Sequence, residues 1–149
     1  MPQRPLRLPF APLPENGSLL AGVFADAVLK NDHTQLDYSV ESLGFVEQFL
    51  ERFRREGLSV NDFAETIFVA GCYIGQVMVQ QAGGTWIRQE EAGLPEGVIM
   101  MPIVVKLQGN TVADPVAKAF KRFHYGQGDS ILYFYKVFTA EADGSEPSL

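Results

Sequence analysis

The sequence predicts an α+β domain, and three observations carry that reading. Apolar residues recur every three to four positions as far as Ala82, the period shortens to two just after Gly83-Gly84, and helical spacing returns after Asp114-Pro115. The expected order is three N-terminal helices, a small antiparallel β-meander of three or four strands, and two C-terminal helices closing over it. At 149 residues, 46% hydrophobic and 20% charged, the chain is one compact domain. A domain of this size buries roughly 68–70% of its unfolded surface and needs no disulfide staples.

The elements follow in order. Five of the nine prolines lie within the first fourteen residues, so 1–16 reads as an extended, proline-rich arm that cannot start a helix. Residues 17–140 form the domain, and 141–149 read as an acidic, flexible tail. Asn16 or Ser18 is placed to cap a first helix to about Lys30, with Leu20, Val23, Phe24, Ala27 and Val28 on one face. Asp37 and Ser39 are capping residues for a second, whose apolar side carries Leu43, Val46, Phe49, Leu50 and Phe53. Its opposite side carries Glu47, Glu51, Arg54 and Arg55, and Gly57 supplies a left-handed stop. A third helix starts near Ser59 or Asn61. It has no charged residue between Ile67 and Val79, which predicts a central, covered position. Gly71 and Gly75 on one edge predict close approach of another backbone or a bulky side chain.

TWIR after the glycines is a short strand. VIMM and IVVKLQ are strand-like runs broken by Pro102, Gly109-Asn110 is a hairpin signal and TVA the returning strand. Asp114-Pro115 is an N-cap followed by a first-turn proline, with Val116, Ala119, Phe120 and Phe123 inward and Gly126 at the end. Asp129 is placed to cap a last helix. Its ILYFYKVF core fits a strand as well, and the helix is preferred.

Composition excludes several functions. A single cysteine, Cys72, allows no intrachain disulfide and no multi-cysteine metal site, and in so apolar a helix it reads as packing. Two histidines far apart make no histidine metal cage, so no metal and no cofactor are expected. Twelve basic against eighteen acidic residues give −6, spread along the chain, which argues against nucleic acid as a partner. No leader-like apolar block follows Arg4 and Arg7, so a cytoplasmic address without a membrane partner is the expectation.

No phosphate-loop, nucleophile-elbow, zinc-protease or calcium-loop motif is present. Adjacent Glu90 and Glu91 fall in a turn, where carboxylates are solvated, and His33 lies in a polar loop. His124, at a helix C-terminus, is the better candidate for proton transfer, with Asp129 near it in sequence. Lys118, Lys121 and Arg122 form the one basic cluster, an anion-binding face or the solvated side of a helix. The lone tryptophan, Trp86, anchors the core or floors an interface. Phe45, Phe68, Tyr133 and Phe134 fall off the main inward faces, so exposed aromatics, Tyr133 and Phe134 with Trp86 above all, are candidates for a partner surface.

LDYSVESL, GCYIG, GGTW and VADPVAKAFKRF occur in an order similar to that of a family of small bacterial proteins of unknown function. The resemblance covers roughly residues 36 to 138 and implies a bacterial source and an α+β fold. It brings no activity, so Gly71, Tyr73, Gly75, Gly83, Gly84, Trp86, Asp114 and Pro115 enter as architecture. The function expected is a non-enzymatic binding or interaction protein, regulatory, accessory or toxin-neutralising, with a protein partner or self-association. The alternative is a small enzyme acting on an anionic substrate through His124 with Lys121, Arg122 or Asp129.

Overall fold

The computed structural model describes residues 4–95, 97, 98 and 100–143, the last three by their backbone alone. Five helices and one sheet follow in the expected order: α1 (Gly17–Asp32), α2 (Leu43–Arg55), α3 (Val60–Ala82), β1 (Thr85–Arg88), β2 (Ile103–Lys106), β3 (Val112–Ala113), α4 (Pro115–Tyr125) and α5 (Ile131–Asp143). The fold is α+β, and the closing aromatic segment is helical. The tail expected at 141–149 begins inside α5, and residues 144–149 lie outside the described residues.

α3 is the centre. Every residue from Ile67 to Met78 is buried, with α1 and α4 packed along it. By length and composition it could cross a membrane, but 72% of its most apolar window is buried inside this fold. Ser59 caps it, its hydroxyl accepting from the Asp62 N–H at 3.1 Å, and Gly83 ends it at φ +71°. The two interior glycines are the contact surface. A Cβ on Gly71 would lie 2.5 Å from Val116 Cα of α4, and one on Gly75 would sit inside the Trp86 ring. The missing side chains let α4 and the indole reach the helix backbone.

The sheet is an antiparallel meander in the order β1-β2-β3, with Trp86 opposite Val105 and Val105 opposite Ala113. It has three strands. Of the VIMM run, Val98, Met100 and Met101 lie outside any strand, and Ile99 lies outside the described residues. Pro102 has no N–H for a ladder, and the Met101 N–H turns to the Asp114 carboxylate at 2.9 Å. Gly109 (φ +71°) and Asn110 (φ +61°) make the tight turn into β3. Asp114 caps α4 through the Ala117 N–H at 3.1 Å. α5 is capped by Ser130, which accepts from the Tyr133 N–H at 3.2 Å; Asp129, the expected cap, pairs instead with Lys118 at 3.0 Å.

α2 begins at Leu43, later than Asp37 and Ser39 suggested, because those residues build the preceding turns. Asp37 accepts from the Ser39 N–H and Ser39 from the Ser42 N–H. Tyr38 stands there at φ +61°, an uncommon backbone conformation for a bulky residue. Tyr73 of α3 holds it: the Tyr38 N–H donates to the Tyr73 oxygen at 2.9 Å, and the Gln81 amide donates to the Tyr38 carbonyl at 3.0 Å. The Ser42 hydroxyl donates to Ser39 O at 2.6 Å, so at the Tyr73–Ser42 contact of 2.6 Å the phenol is the donor.

Candidate functional site

The largest correction to the helical wheels concerns α2. The side opposite its apolar face is not left to solvent: Glu51 is buried and Glu47 is nearly so. Both turn to Arg122 of α4, which is only 2% exposed. Arg122 Nε donates to Glu47 Oε1 at 3.0 Å, and Nη1 donates to Glu51 Oε1 at 2.7 Å. Glu47 also accepts from the Ile131 N–H at 2.7 Å, and Glu51 from Arg55 at 2.7 Å. The hydrogen bond from Arg122 holds the Glu51 carboxyl below its usual range. The guanidinium separates two carboxylates one helical turn apart that would otherwise repel, and it locks α2, α4 and the start of α5 together.

This network removes Arg122 from the expected anion-binding face. Lys118 is committed to Asp129 and lies over the Phe134 ring at 5.8 Å, which leaves Lys121 as the one exposed cation of the three. His124 is exposed beside Tyr125, at the lip of a shallow groove of about 240 Å³ with Lys121, Phe120 and Val60. Among the described residues no carboxylate or hydroxyl hydrogen-bonds it. The structure therefore does not bring His124, Arg122 and Asp129 together as a catalytic set. Nor do three or more His, Cys, Asp or Glu side chains meet in a metal-binding group among the described residues. Cys72 is buried, and burial pushes its thiol far above the usual value, out of reach of thiolate chemistry.

Trp86 is half-buried between Gly17 and Gly75, its indole N–H donating to Gln76 Oε1 at 3.0 Å. Phe68 is buried in the core, and Phe45 and Phe134 are half-buried against it. Tyr133 stays 44% exposed, one turn from Val137 at 40%.

A better-formed concavity lies elsewhere, where the arm crosses α1, α2 and α3. It is a cleft of about 330 Å³. Its floor is the buried Phe24, Val28 and Val69, and its walls are Val23, Phe49, Phe53 and Phe63, with Leu8 and Pro9 of the arm along one side. The rings brace one another: Phe24–Phe49 edge to face at 5.1 Å, Phe49–Phe53 at 4.9 Å and Phe53–Phe63 at 4.9 Å between centroids. Arg52 lies over the Phe53 ring at 4.6 Å and donates to Asp32 Oδ2 at 3.2 Å. The arm is tied across by a fork: Arg4 donates to both oxygens of Glu65, at 2.5 and 2.7 Å, and to the Asn61 carbonyl at 2.7 Å. The Arg7 N–H adds a bond to Glu65 at 2.9 Å. Arg4 and then the Arg7 N–H pull the Glu65 carboxyl down to about 2.

The helical spacing puts Phe24, Phe49, Phe53 and Phe63 on inward faces and shows no gap between them. The available signal is the count of eleven phenylalanines, more than so small a core requires. An apolar cleft of this volume with a few polar groups at its rim has the make-up of a small-molecule site. No family model matches this chain, nor does any curated protein or solved structure, so the family resemblance rests on its motifs alone.

Proposed function

We propose that the protein is a non-enzymatic binding module whose site is the cleft beneath the N-terminal arm. The observation that carries this reading is the ring-walled gap of about 330 Å³ formed by four separate segments of chain. Side chains in a packed core interdigitate until voids larger than a water molecule are few. Here Phe49, Phe53 and Phe63 stay half-buried around a space that a bound molecule would fill. The alternative, catalysis through His124, has only Lys121 beside it in a shallow groove and no hydrogen-bonded carboxylate or hydroxyl among the described residues.

The test is a methyl NMR titration with a panel of small apolar molecules, run in parallel on the wild type and on Ala27→Trp, which puts an indole over the mouth. Perturbations centred on Leu8, Val23, Val28 and Val69, and lost in the variant, support the cleft. Perturbations elsewhere, or none, overturn it. A chain that ignores the panel and sediments as a dimer would shift the binding surface to the exposed Tyr133–Val137 face of α5.

A further inference from the structure

The geometry points to an uncharged ligand of two fused rings, bearing one hydroxyl or N–H, as the occupant of this cleft. The inference rests on the cleft being the binding site and concerns what the site selects. Charge is the first argument. The three ionised side chains that line the cleft are Asp32, Arg52 and Glu65. Asp32 and Arg52 are paired with each other. Glu65 is held by both nitrogens of Arg4 and by the Arg7 N–H. A ligand carboxylate would have to take Arg52 from Asp32 while lying close to Glu65. A ligand ammonium would have to displace Arg4 or Arg52 from a carboxylate. A neutral molecule leaves both pairs intact and strips no ion of its water.

Shape is the second. The walls are ring faces and edges rather than flexible aliphatic chains, and aromatic ligands meet such walls in offset or edge-to-face contact. The volume, about 330 Å³, is roughly twice that of the ~150 Å³ apolar cavity that takes a single benzene ring. That is room for two fused rings and a small substituent.

The third is the polar content that remains. The Asn31 amide nitrogen is used, donating to the Ala27 carbonyl at 2.9 Å, which leaves its Oδ1 as an acceptor. The Thr66 hydroxyl has no hydrogen-bond partner among the described residues. Both atoms belong to residues lining the cleft. One neutral donor on the ligand matches them without disturbing either ion pair.

Calorimetric titration of the full chain at neutral pH with four probes tests this: 2-naphthol, 2-naphthoate, 2-(aminomethyl)naphthalene and 1-octanol. We expect 2-naphthol to bind at least about ten-fold more tightly than either charged analogue and more tightly than octanol. Thr66→Val or Asn31→Leu should weaken 2-naphthol several-fold, and octanol with it, since both carry the one hydroxyl that these acceptors receive. Equal or tighter binding of naphthoate or the ammonium overturns the neutrality argument and leaves the cleft as a site for ions. Tighter binding of octanol overturns the preference for rings. Binding of 2-naphthol that survives Ala27→Trp unchanged, or an absence of binding by all four probes, removes the cleft reading itself and this inference with it.

Discussion

Tyr73 illustrates how much one side chain decides here. Its hydroxyl accepts from the Tyr38 N–H and donates to Ser42, so one atom fixes the left-handed Tyr38 and the entry to α2. Tyr73→Phe keeps the ring but leaves the Tyr38 N–H without its acceptor, and should cost about 1–3 kcal/mol in denaturant unfolding. Arg122 is the second such residue. Arg122→Met leaves Glu47 without its counter-charge and Glu51 with Arg54 and Arg55 alone, and should cost about 3–5 kcal/mol. Replacing all three by apolar residues should recover much of that loss, because no buried charge is then left unpaired. Thermal or urea unfolding of Tyr73→Phe, Arg122→Met and the triple apolar variant checks all three expectations.

Carboxylates held below their ordinary range shape the response to acid, Glu51 and Glu65 among them. Glu51 and Glu65 both have folded values below the ordinary 4.5, the first through Arg122 and the second, at about 2, through Arg4. The unfolded chain binds protons there first, so both contributions to stability are present above about pH 4.5 and are lost below it, that of Glu65 as pH falls toward about 2. Melting temperature should therefore fall steeply between those values. Glu65→Gln should lower it at neutral pH and flatten part of that slope. An unchanged slope in Glu65→Gln would mean that the arm's fork contributes nothing measurable, as exposed ion pairs often do.

At the scale of elements, the α3 interface with β1 and α4 sets two effects against each other at Gly75. Alanine is favoured over glycine inside a helix by about 1 kcal/mol. A Cβ at Gly75, however, collides with Trp86, whose indole is pinned by Gln76. Overpacking of this kind costs about 1–3 kcal/mol, so Gly75→Ala should destabilise the protein. In a Trp86→Ala background the clash with the indole is removed and only the Pro115 ring, 2.9 Å from the added Cβ, stays in the way, so the same substitution should become markedly less destabilising. A double-mutant cycle reads the difference directly. Helix propensity alone would predict stabilisation in both backgrounds.

At the scale of the whole molecule, the arm, α1, α2 and α3 meet without closing the space between them, and the molecule keeps a cleft beside its core. Filling it links binding to stability. A ligand of the right chemistry at a hundred times its Kd adds about 2.7 kcal/mol. For a domain of this length that is a rise of roughly 5–10 °C in melting temperature. Differential scanning calorimetry with 2-naphthol should show this for the wild type and not for Ala27→Trp. The arm takes part as well. Arg4→Ala frees Leu8 and Pro9 from the fork to Glu65, and ligand release measured by exchange NMR should become faster.

What the chain determined by itself is the local half of the structure. Hydrophobic spacing marked five helices, the Gly83-Gly84 stop and the Gly109-Asn110 turn bounded the sheet, and the uncharged stretch of α3 from Ile67 to Val79 announced its own burial. Even the close approach at Gly71 and Gly75 was legible, because a glycine pair in a helix has few other uses. Only the tertiary structure decided which side of α2 is truly outside, which cations are free and where the aromatics leave room. Those outcomes depend on pairs such as Glu51 with Arg122, or Phe24 with Phe49, that lie on different elements. Periodicity reports the direction of a side chain relative to its own helix axis. It is silent on what stands opposite, and a buried ion pair or a cleft is made of what stands opposite.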